Sequence, residues 1–392
     1  MIKTRLPPLK ALYFNFFTRQ FALSLFSLFG PLFVAQLFGF GKYGITLAVL
    51  YYLGFRLVMV CFALPAGKII ERFGFRRSML LSLFLLVFHY ICLFLSQTQA
   101  FFLVPALVFG GLLVPLYWLP YHLIVSEDSD DAWFGKEVSN LAFLTRFSDV
   151  LAPAIGGLLI AKLGYSWLFG VSIILILISF APLGLMFRHG THQSFSLQEI
   201  ARGILSPTRR AEWVSLFSAG FHDSLEGILW VFVMFSILQG VAILGFVRSL
   251  SMVVMLVAIF LAGKYLDKTR QAGKLLIRAS RLDAFLWLSR FLVHTPLVLI
   301  GSEFLVRVSR GLLWTPFDAI TYHKARQSKN GAFFFLLRRE VVLNLGRALG
   351  LLLVLAIVLS GLDLRWGVLF GALASLMLAP PKGWWTRAES NR

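Results

Sequence analysis

Long uninterrupted runs of hydrophobic residues, separated by short polar segments, dominate the chain. A helix that crosses a bilayer needs about 20 mostly apolar residues, and these runs have that length. Strands of a membrane β-barrel would instead alternate apolar and polar residues over segments of about ten. The pattern therefore predicts an all-α integral membrane protein with about twelve transmembrane helices. The predicted spans are residues 14–40, 44–66, 78–97, 100–123, 138–161, 165–187, 213–238, 241–263, 279–296, 298–322, 334–360 and 364–380.

Composition agrees with this pattern. Of 392 residues, 58% are hydrophobic and 14% are charged, whereas about 25% are charged in an average soluble protein. Twelve spans with short loops use nearly the whole chain and leave no room for a soluble domain. The first run follows Lys3, Arg5 and Lys10 but is too long for a signal peptide and has no small-residue cleavage site, so we predict helix 1 there. Cys61 and Cys92 both lie in apolar runs, which predicts no disulfide framework.

The distribution of basic residues predicts the orientation. If the N-terminus is cytoplasmic, 24 Lys and Arg residues fall in cytoplasmic segments, and only Lys42, Lys162 and Arg365 fall in outer loops. Basic loops stay on the cytoplasmic side of the membrane. We therefore predict a bacterial inner-membrane protein with both termini in the cytoplasm. This asymmetry also accounts for the net charge of +19 without a nucleic-acid partner.

Two short segments recur at one offset. Residues 67–72 (GKIIER) recur as residues 263–268 (GKYLDK), and residues 118–121 (WLPY) recur as residues 314–317 (WTPF). Both pairs are 196 residues apart, which predicts two homologous six-helix halves, as found in transporters. The predicted domains are an N-terminal half at 1–187, a cytoplasmic linker at 188–212 and a C-terminal half at 213–392. Apolar residues at helical spacing in the linker predict a short amphipathic helix on the membrane surface.

The residues of the loop between spans 2 and 3 could lock one conformation of the protein and release it in another. Its glycines permit tight turns, Glu71 can accept hydrogen bonds at the N-terminus of a neighbouring helix, and its arginines can pair with other helix ends. The predicted gating residues are Gly67, Glu71, Arg72, Gly74, Arg76 and Arg77, with Gly263, Asp267 and Lys268 in the second copy.

This loop resembles the Gly-x-x-x-Asp-Arg-x-Gly-Arg-Arg signature of the major facilitator superfamily. The chain has Glu71 in place of the Asp and Phe75 in place of the first Arg of the final pair. The resemblance implies the fold of that family, alternating access, a monomer, and a central cavity lined by helices 1, 4, 7 and 10.

Two further segments leave alternatives open. Residues 152–157 (APAIGG) resemble an antiporter element of the same family, but they could equally serve a helix kink and small-residue packing. The acidic loop at residues 126–137 is either a solvated cap near basic loops or an ion-pair latch to the loop around Arg76.

Ionisable residues inside the predicted spans mark the candidate site, because such residues usually face a bundle interior or a cavity. Asp223 and Glu226 on helix 7 are spaced i,i+3 and share a face, so either could carry a proton; the alternative is a buried ion pair that only stabilises the bundle. Arg307 and Arg310 on helix 10 are predicted to contact the substrate. A pair between Glu226 and Arg310 is predicted across these two helices.

Other polar residues extend the predicted cavity. Tyr117, Trp118 and Tyr121 on helix 4 could stack a planar or sugar-like substrate, although Trp118 could instead belong to an interfacial aromatic belt. Asp318 lies on the cytoplasmic side of helix 10. A predicted interior network comprises Arg146, Asp149, Glu340, Asn344 and Arg347. Arg56 and Arg248 add to an excess of interior bases, which favours an anionic or zwitterionic substrate.

Together these patterns predict a secondary transporter that moves a small organic solute, coupled to protons, rather than an enzyme. No nucleotide-binding loop of the form Gly-x-x-x-x-Gly-Lys-Ser/Thr and no metal-ligand cluster occurs in the sequence, so we predict no cofactor. The predicted partners are the lipid bilayer, the solute and protons. The alternatives are a transporter of lipid or lysophospholipid, and a membrane scaffold or sensor of the same fold that transports nothing.

Overall fold

The computed structural model describes residues 8–127, 134–185, 210–328 and 331–379. These parts of the chain are α-helical and contain no β-strand. The predicted amphipathic helix of the linker and the centre of the acidic loop lie outside the described residues.

Among the described residues, six α-helices form the N-terminal half. They are α1 (Pro8–Ser27), α2 (Gly30–Leu37), α3 (Lys42–Leu95), α4 (Leu103–Glu127), α5 (Phe134–Leu163) and α6 (Tyr165–Leu185). α1 and α2 meet at a bend of 44° and together make one crossing. α3 has 54 residues, about 81 Å of helix, which is more than twice the thickness of the hydrocarbon core. Gly74 breaks it into two crossings, with φ 78° and ψ 168°.

In the described part of the chain, seven α-helices form the C-terminal half. They are α7 (Arg210–Ser224), α8 (Trp230–Leu238), α9 (Val241–Thr269), α10 (Ala272–Ser289), α11 (Pro296–Arg326), α12 (Ala332–Ser360) and α13 (Gly367–Leu378). A π-helical turn, Leu225–Leu229, joins α7 to α8 in one crossing. With α3 counted twice, each half supplies six crossings, so the predicted all-α fold with twelve spans is confirmed.

We name the two ends of the bundle by fixed residues. The motif side carries the break at Gly74 and the start of α7, and the far side carries Phe40 and the start of α3. Large apolar side chains are exposed between these ends, for example Phe260 at 60% and Leu250 at 58%. In a helix of this length, such side chains face lipid.

The two halves pack mainly along two pairs of helices, α3 with α12 and α5 with α9. On the far side, Lys42 Nζ donates to the carbonyl oxygen of Leu359 at 2.9 Å, and the rings of Phe40 and Phe235 are 4.9 Å apart. On the motif side, Tyr322 Oη lies 2.8 Å from His122 Nδ1 and joins α4 to α11. The halves are thus in contact at both ends.

Glycines allow α5 and α9 to pack closely. A Cβ on Gly245 would collide with the carbonyl oxygen of Pro153, and one on Gly157 would lie 2.7 Å from the carbonyl oxygen of Val241. Ser249 Oγ accepts from the Ala154 amide at 2.8 Å across the same contact. In this conformation residues 152–157 therefore serve helix packing. This role is the second of the two alternatives that the sequence leaves open for this segment.

Candidate functional site

Glu226 lies on the π-helical turn and is surrounded by arginines. Its Oε2 accepts from Arg290 Nη1 at 2.7 Å. Its Oε1 lies 3.2 Å from both Arg248 Nη1 and Arg310 Nη1, and it also accepts from Arg307. The predicted contact between Glu226 and Arg310 is therefore present, but as one of four. π-helical turns often occur at functional sites.

Glu303 of α11 is the second carboxylate of this group. Its Oε1 accepts from Arg290 Nη2 at 3.0 Å and from Trp230 Nε1 at 2.6 Å, and its Oε2 accepts from Arg307 Nη2 at 3.2 Å. We call Glu226, Glu303, Arg248, Arg290, Arg307 and Arg310 the ionic cluster. All six are buried. With four guanidinium groups and two carboxylates, the cluster has a formal charge of +2.

A second network lies against the ionic cluster. Asp283 Oδ2 lies 2.9 Å from His222 Nε2, and the two oxygens of Asp283 accept from Ser309 Oγ at 2.7 Å and from Ser375 Oγ at 2.6 Å. Arg310 Nη2 lies 3.4 Å from His222 Nδ1 and links the two networks. If Asp283 is ionised, the combined charge falls to +1, so the centre of the C-terminal half remains cationic.

Asp223 has a different environment from Glu226. Its Oδ2 accepts from Arg347 Nε at 2.9 Å, and Arg347 Nη1 in turn donates to Asn344 Oδ1 at 3.1 Å. The Asp223 side chain is 42% exposed, whereas that of Glu226 is 5% exposed. Arg56, from α3 of the other half, interacts electrostatically with both Asp223 and Arg347. Asp223 thus faces the interface between the halves, and Glu226 faces the interior of one half.

In the N-terminal half, the predicted aromatic residues of α4 surround an arginine of α1. The guanidinium carbon of Arg19 lies 3.6 Å from the centre of the Tyr117 ring and 5.9 Å from that of Trp118. Tyr117 Oη donates to Asn15 Oδ1 at 2.7 Å, and Phe16 stacks on Tyr121 at 4.6 Å. Arg19, Tyr117 and Tyr121 are buried, and Trp118 is half-buried.

The other predicted polar residues are dispersed. Asp318 interacts electrostatically with Tyr121 of the other half. Glu340 accepts from its neighbour Arg339 at 2.6 Å rather than from Arg347. Asp149 accepts from Ser24 Oγ at 2.8 Å, and the side chain of Arg146 lies outside the described residues. In the predicted stripe, Asn344 bonds to Arg347 by its side-chain oxygen and donates from Nδ2 to the backbone carbonyl oxygen of Glu340 at 2.8 Å.

A pocket of about 270 Å³ lies on the far side, separate from these groups. Its lining includes His294, Asp363 and Arg365. Arg365 Nε donates to Asp363 Oδ2 at 2.9 Å. Hydrogen bonds from the side chain and the backbone amide of Arg365 hold the pKa of the Asp363 carboxyl below its usual value. The described residues of the chain contain no group of His, Cys, Asp or Glu that could hold a metal ion.

Comparisons with known proteins identify the family. The sequence profile of the Major Facilitator Superfamily matches residues 12–351. The chain belongs to the major facilitator superfamily. The resemblance carried by the motif loop is thereby confirmed, and the chain is a multi-pass membrane transporter of this superfamily.

Similar proteins and structures are distant in sequence. The chain is 23% identical over 291 residues to the uncharacterised protein YqgE of Bacillus subtilis (strain 168). The aligned region covers 70% of this chain and 66% of YqgE. A POT family transporter in complex with 5-aminolevulinic acid has a TM-score of 0.76 at 13% identity, covering 95% of this chain and 94% of the other. A D-xylose-proton symporter has a TM-score of 0.70 at 14% identity, covering 94% and 96%. At these identities, the structures show a shared fold.

The motif loop of this superfamily member contacts the end of α6. Arg76 Nε donates to the carbonyl oxygen of Leu183 at 3.0 Å, and its Nη2 donates to that of Gly184. Arginine at a helix C-terminus satisfies free carbonyl groups and complements the helix dipole. Within the described residues, Glu71 pairs with Lys68 of its own helix at 2.9 Å, not with the N-terminus of a neighbouring helix as predicted.

The remaining motif residues have simpler surroundings. The side chain of Arg72 lies over the Phe73 ring at 5.4 Å. In the second copy, Gly263, Asp267 and Lys268 lie in the last turns of α9. That helix ends at Arg270 in the left-handed conformation, with φ 53°, so the copy lacks the glycine turn that breaks α3.

Four charged residues of this superfamily member's interior were not predicted as site residues. Arg19 lies beside the aromatic residues of α4, and Asp283, Arg290 and Glu303 lie in the two networks of the C-terminal half. Arg19 and Arg290 are each a single charge in a mostly apolar stretch of sequence, which is the signal that could have identified them. Asp283 follows Arg281, and Glu303 precedes Arg307.

Proposed function

We propose that the protein is a secondary active transporter that couples the movement of a small organic solute with an anionic or zwitterionic group to a proton gradient. The motif side would face the cytoplasm of a bacterial cell. The observation that carries this proposal is the Asp223–Arg347 pair, which is partly exposed at the interface between the halves. A D-xylose-proton symporter and the E. coli fucose:proton symporter have this fold.

The proposed cycle uses the charge of Asp223. While ionised, Asp223 holds Arg347. Protonation would weaken that bond and free Arg347, and with it the nearby Arg56, to attract an anionic group of the solute. The two halves would then rock about the occupied site, and release of solute and proton on the other side would restore the pair. Solute and proton would be coupled because both act on the same guanidinium.

We propose Asp223 rather than Glu226 as the proton carrier. Protonating Glu226 would leave the arginines of the ionic cluster in a buried position with one carboxylate between them, which is costly. On the same argument, Arg307 and Arg310 hold Glu226 rather than the solute in this conformation. The role of the ionic cluster would be to keep the C-terminal half rigid.

The test is transport by the purified protein in proteoliposomes. We first expect a solute from a metabolite panel to accumulate when an inward proton gradient is imposed. We then expect Asp223→Asn to abolish accumulation but to retain counterflow, because an amide keeps the shape of the site and cannot carry a proton. Asp363→Asn, which changes an exposed carboxylate that also pairs with an arginine but lies on the far side, is the control and should transport like the wild type. Gradient-driven accumulation that persists in Asp223→Asn would exclude Asp223, and loss of coupling in Glu226→Gln alone would assign it to Glu226.

The alternatives predict different ligands. Lipid movement requires a lateral opening between the halves, and here α5 packs on α9 and α3 packs on α12, which favours a solute. A thermal-shift screen of metabolites, drugs and lysophospholipids would separate the cases. Stabilisation by lysophospholipid alone would favour lipid transport, and stabilisation by none of the compounds would favour a scaffold or sensor.

A further inference from the structure

Arg19 is a buried arginine that has no acidic partner among the described residues. Arg19 is 1% exposed. It lies 11 residues after Pro8, about 16 Å along α1. Its Nε and Nη1 have no hydrogen-bond partner among the described residues. The groups that interact with it electrostatically are Tyr117 and Tyr90, and neither is a carboxylate.

The other buried arginines show what is missing at Arg19. Arg290 is equally buried and binds Glu226 at 2.7 Å and Glu303 at 3.0 Å, while its guanidinium lies 4.1 Å from the Trp230 ring. Arg19 has the aromatic contact, 3.6 Å from the Tyr117 ring, but not the anions. A guanidinium keeps its proton even when buried, so Arg19 remains a cation that no carboxylate in the described part of the chain neutralises.

We infer that Arg19 is the anion-recognition residue of the N-terminal half and that it binds a carboxylate or phosphate group of the transported solute. An aromatic ring stabilises a cation through its face but leaves the N–H groups at the edge of the guanidinium without acceptors. Those edges fit the two oxygens of a carboxylate or phosphate. The burial of an uncompensated charge is costly, and an anionic ligand would remove that cost.

The surroundings of Arg19 further limit the solute. Phe16, Tyr117, Trp118 and Tyr121 form a continuous group of rings next to it. A solute whose anion reaches Arg19 would lie against these rings. We therefore expect a small, flat or ring-containing organic anion to bind better than a compact inorganic one.

This inference rests on the proposed transport function, but it is tested by binding alone. The purified protein is titrated with benzoate, succinate, glycerol 3-phosphate and inorganic phosphate, and with the neutral compounds benzyl alcohol and glycerol, and the melting temperature is recorded. We expect at least one organic anion to raise the melting temperature of the wild type in a saturable manner. The shift should vanish in Arg19→Gln and persist in Arg278→Gln, which changes an exposed arginine of α10. In Arg19→Lys the apparent affinity for the anion should fall at least fivefold. Carboxylates and phosphates are distinguished by which probes act.

A second measurement needs no ligand. In buffer without added anions, Arg19→Met should melt no lower than the wild type because it removes an uncompensated charge. The matched change Arg290→Met should melt much lower because it leaves two carboxylates unpaired. A fall in Arg19→Met comparable to that in Arg290→Met would overturn the inference by giving Arg19 a structural role. It would also be overturned if no anion stabilised the wild type, or if an anion acted equally on Arg19→Gln. If anion binding depends on Arg19 but no transport is observed, the result contradicts the proposed function and leaves the inference about Arg19 standing.

Discussion

Each carboxylate of the ionic cluster is shared among several arginines. Moving a charge out of water costs several kcal/mol even after relaxation, and only close partners offset that cost. Glu303 is fully buried and lies within 3.2 Å of two arginines and within 2.6 Å of Trp230 Nε1. The cluster therefore connects α9, α11, the residue that follows α10 and the π-helical turn between α7 and α8. None of its groups can be removed singly without leaving a charge unpaired.

We expect Glu303→Gln to destabilise the protein by about 3–5 kcal/mol, the usual cost of removing one partner from a buried ion pair. Reversible unfolding in detergent, or the melting temperature where unfolding is irreversible, measures the effect. The control is Glu71→Gln, which removes a partly exposed ion pair with Lys68 and should cost at most about 1 kcal/mol. Equal losses in the two variants would show that the cluster is not held by its charges.

The sequence pattern predicts which types of charged residue lie in the spans better than it predicts how deep each one lies along its helix. The predicted first span began at residue 14, which placed Arg19 near the membrane surface, whereas α1 begins at Pro8. Likewise, the predicted ninth span began at residue 279, whereas α10 begins at Ala272 and places Asp283 about 16 Å along it. Basic residues at the start of a span make a helix look shorter than it is. Depth errors of one or two turns then hide interior charges.

Among the helices, α9 shows how one element serves two purposes. Its start packs against α5 so closely that Gly245 has no room for a Cβ beside the Pro153 carbonyl. Its end carries Gly263 of the repeated motif, where an added Cβ would meet nothing within 4 Å. The first glycine is required by the contact between the halves, and the second is not required by packing in this conformation.

We therefore expect opposite results from two alanine substitutions in this helix. Gly245→Ala should force α5 and α9 apart, lower the melting temperature and reduce solute counterflow. Gly263→Ala should leave stability unchanged or raise it by up to about 1 kcal/mol, because alanine favours a helix interior over glycine by that amount. Melting curves and counterflow of the two variants are the measurement. Similar stability of both variants would mean that the close contact at Gly245 does not persist in the membrane.

Some elements could be predicted and one could not. The break near His294, Thr295 and Pro296 was predicted from its polar residues, and α11 begins at Pro296 with Thr295 as its N-cap. The break at Gly74 follows from a glycine with positive φ. The π-helical turn at Leu225–Leu229 has no such marker in the sequence. Because of that turn, Asp223 and Glu226 enter different networks although their i,i+3 spacing predicts one shared face.

For the whole molecule, the repeat and the hydrophobic pattern were sufficient to predict two six-helix halves. They could not predict which conformation the halves adopt, because the states of a transporter differ by only a few kcal/mol. The structure shows one such state, in which Phe40 touches Phe232 and Phe235 on the far side. Alternating access requires these contacts between the halves to separate.

Cross-linking tests whether the far-side contacts between the halves separate during transport. In a background with Cys61 and Cys92 replaced by serine, we expect a short bifunctional thiol reagent to join Phe40→Cys to Phe235→Cys and to abolish counterflow. The reason is that Phe40, between α2 and α3, and Phe235, in α8, belong to different halves. The control pair, Gln97→Cys and Ser166→Cys, replaces two residues that are hydrogen-bonded at 3.1 Å on the far side within one half. It should cross-link without loss of transport, since a rigid half does not change shape when the two halves rock. Counterflow that survives the first cross-link, with its formation verified by mass spectrometry, would show that the far side does not open there and that the halves move about a different contact.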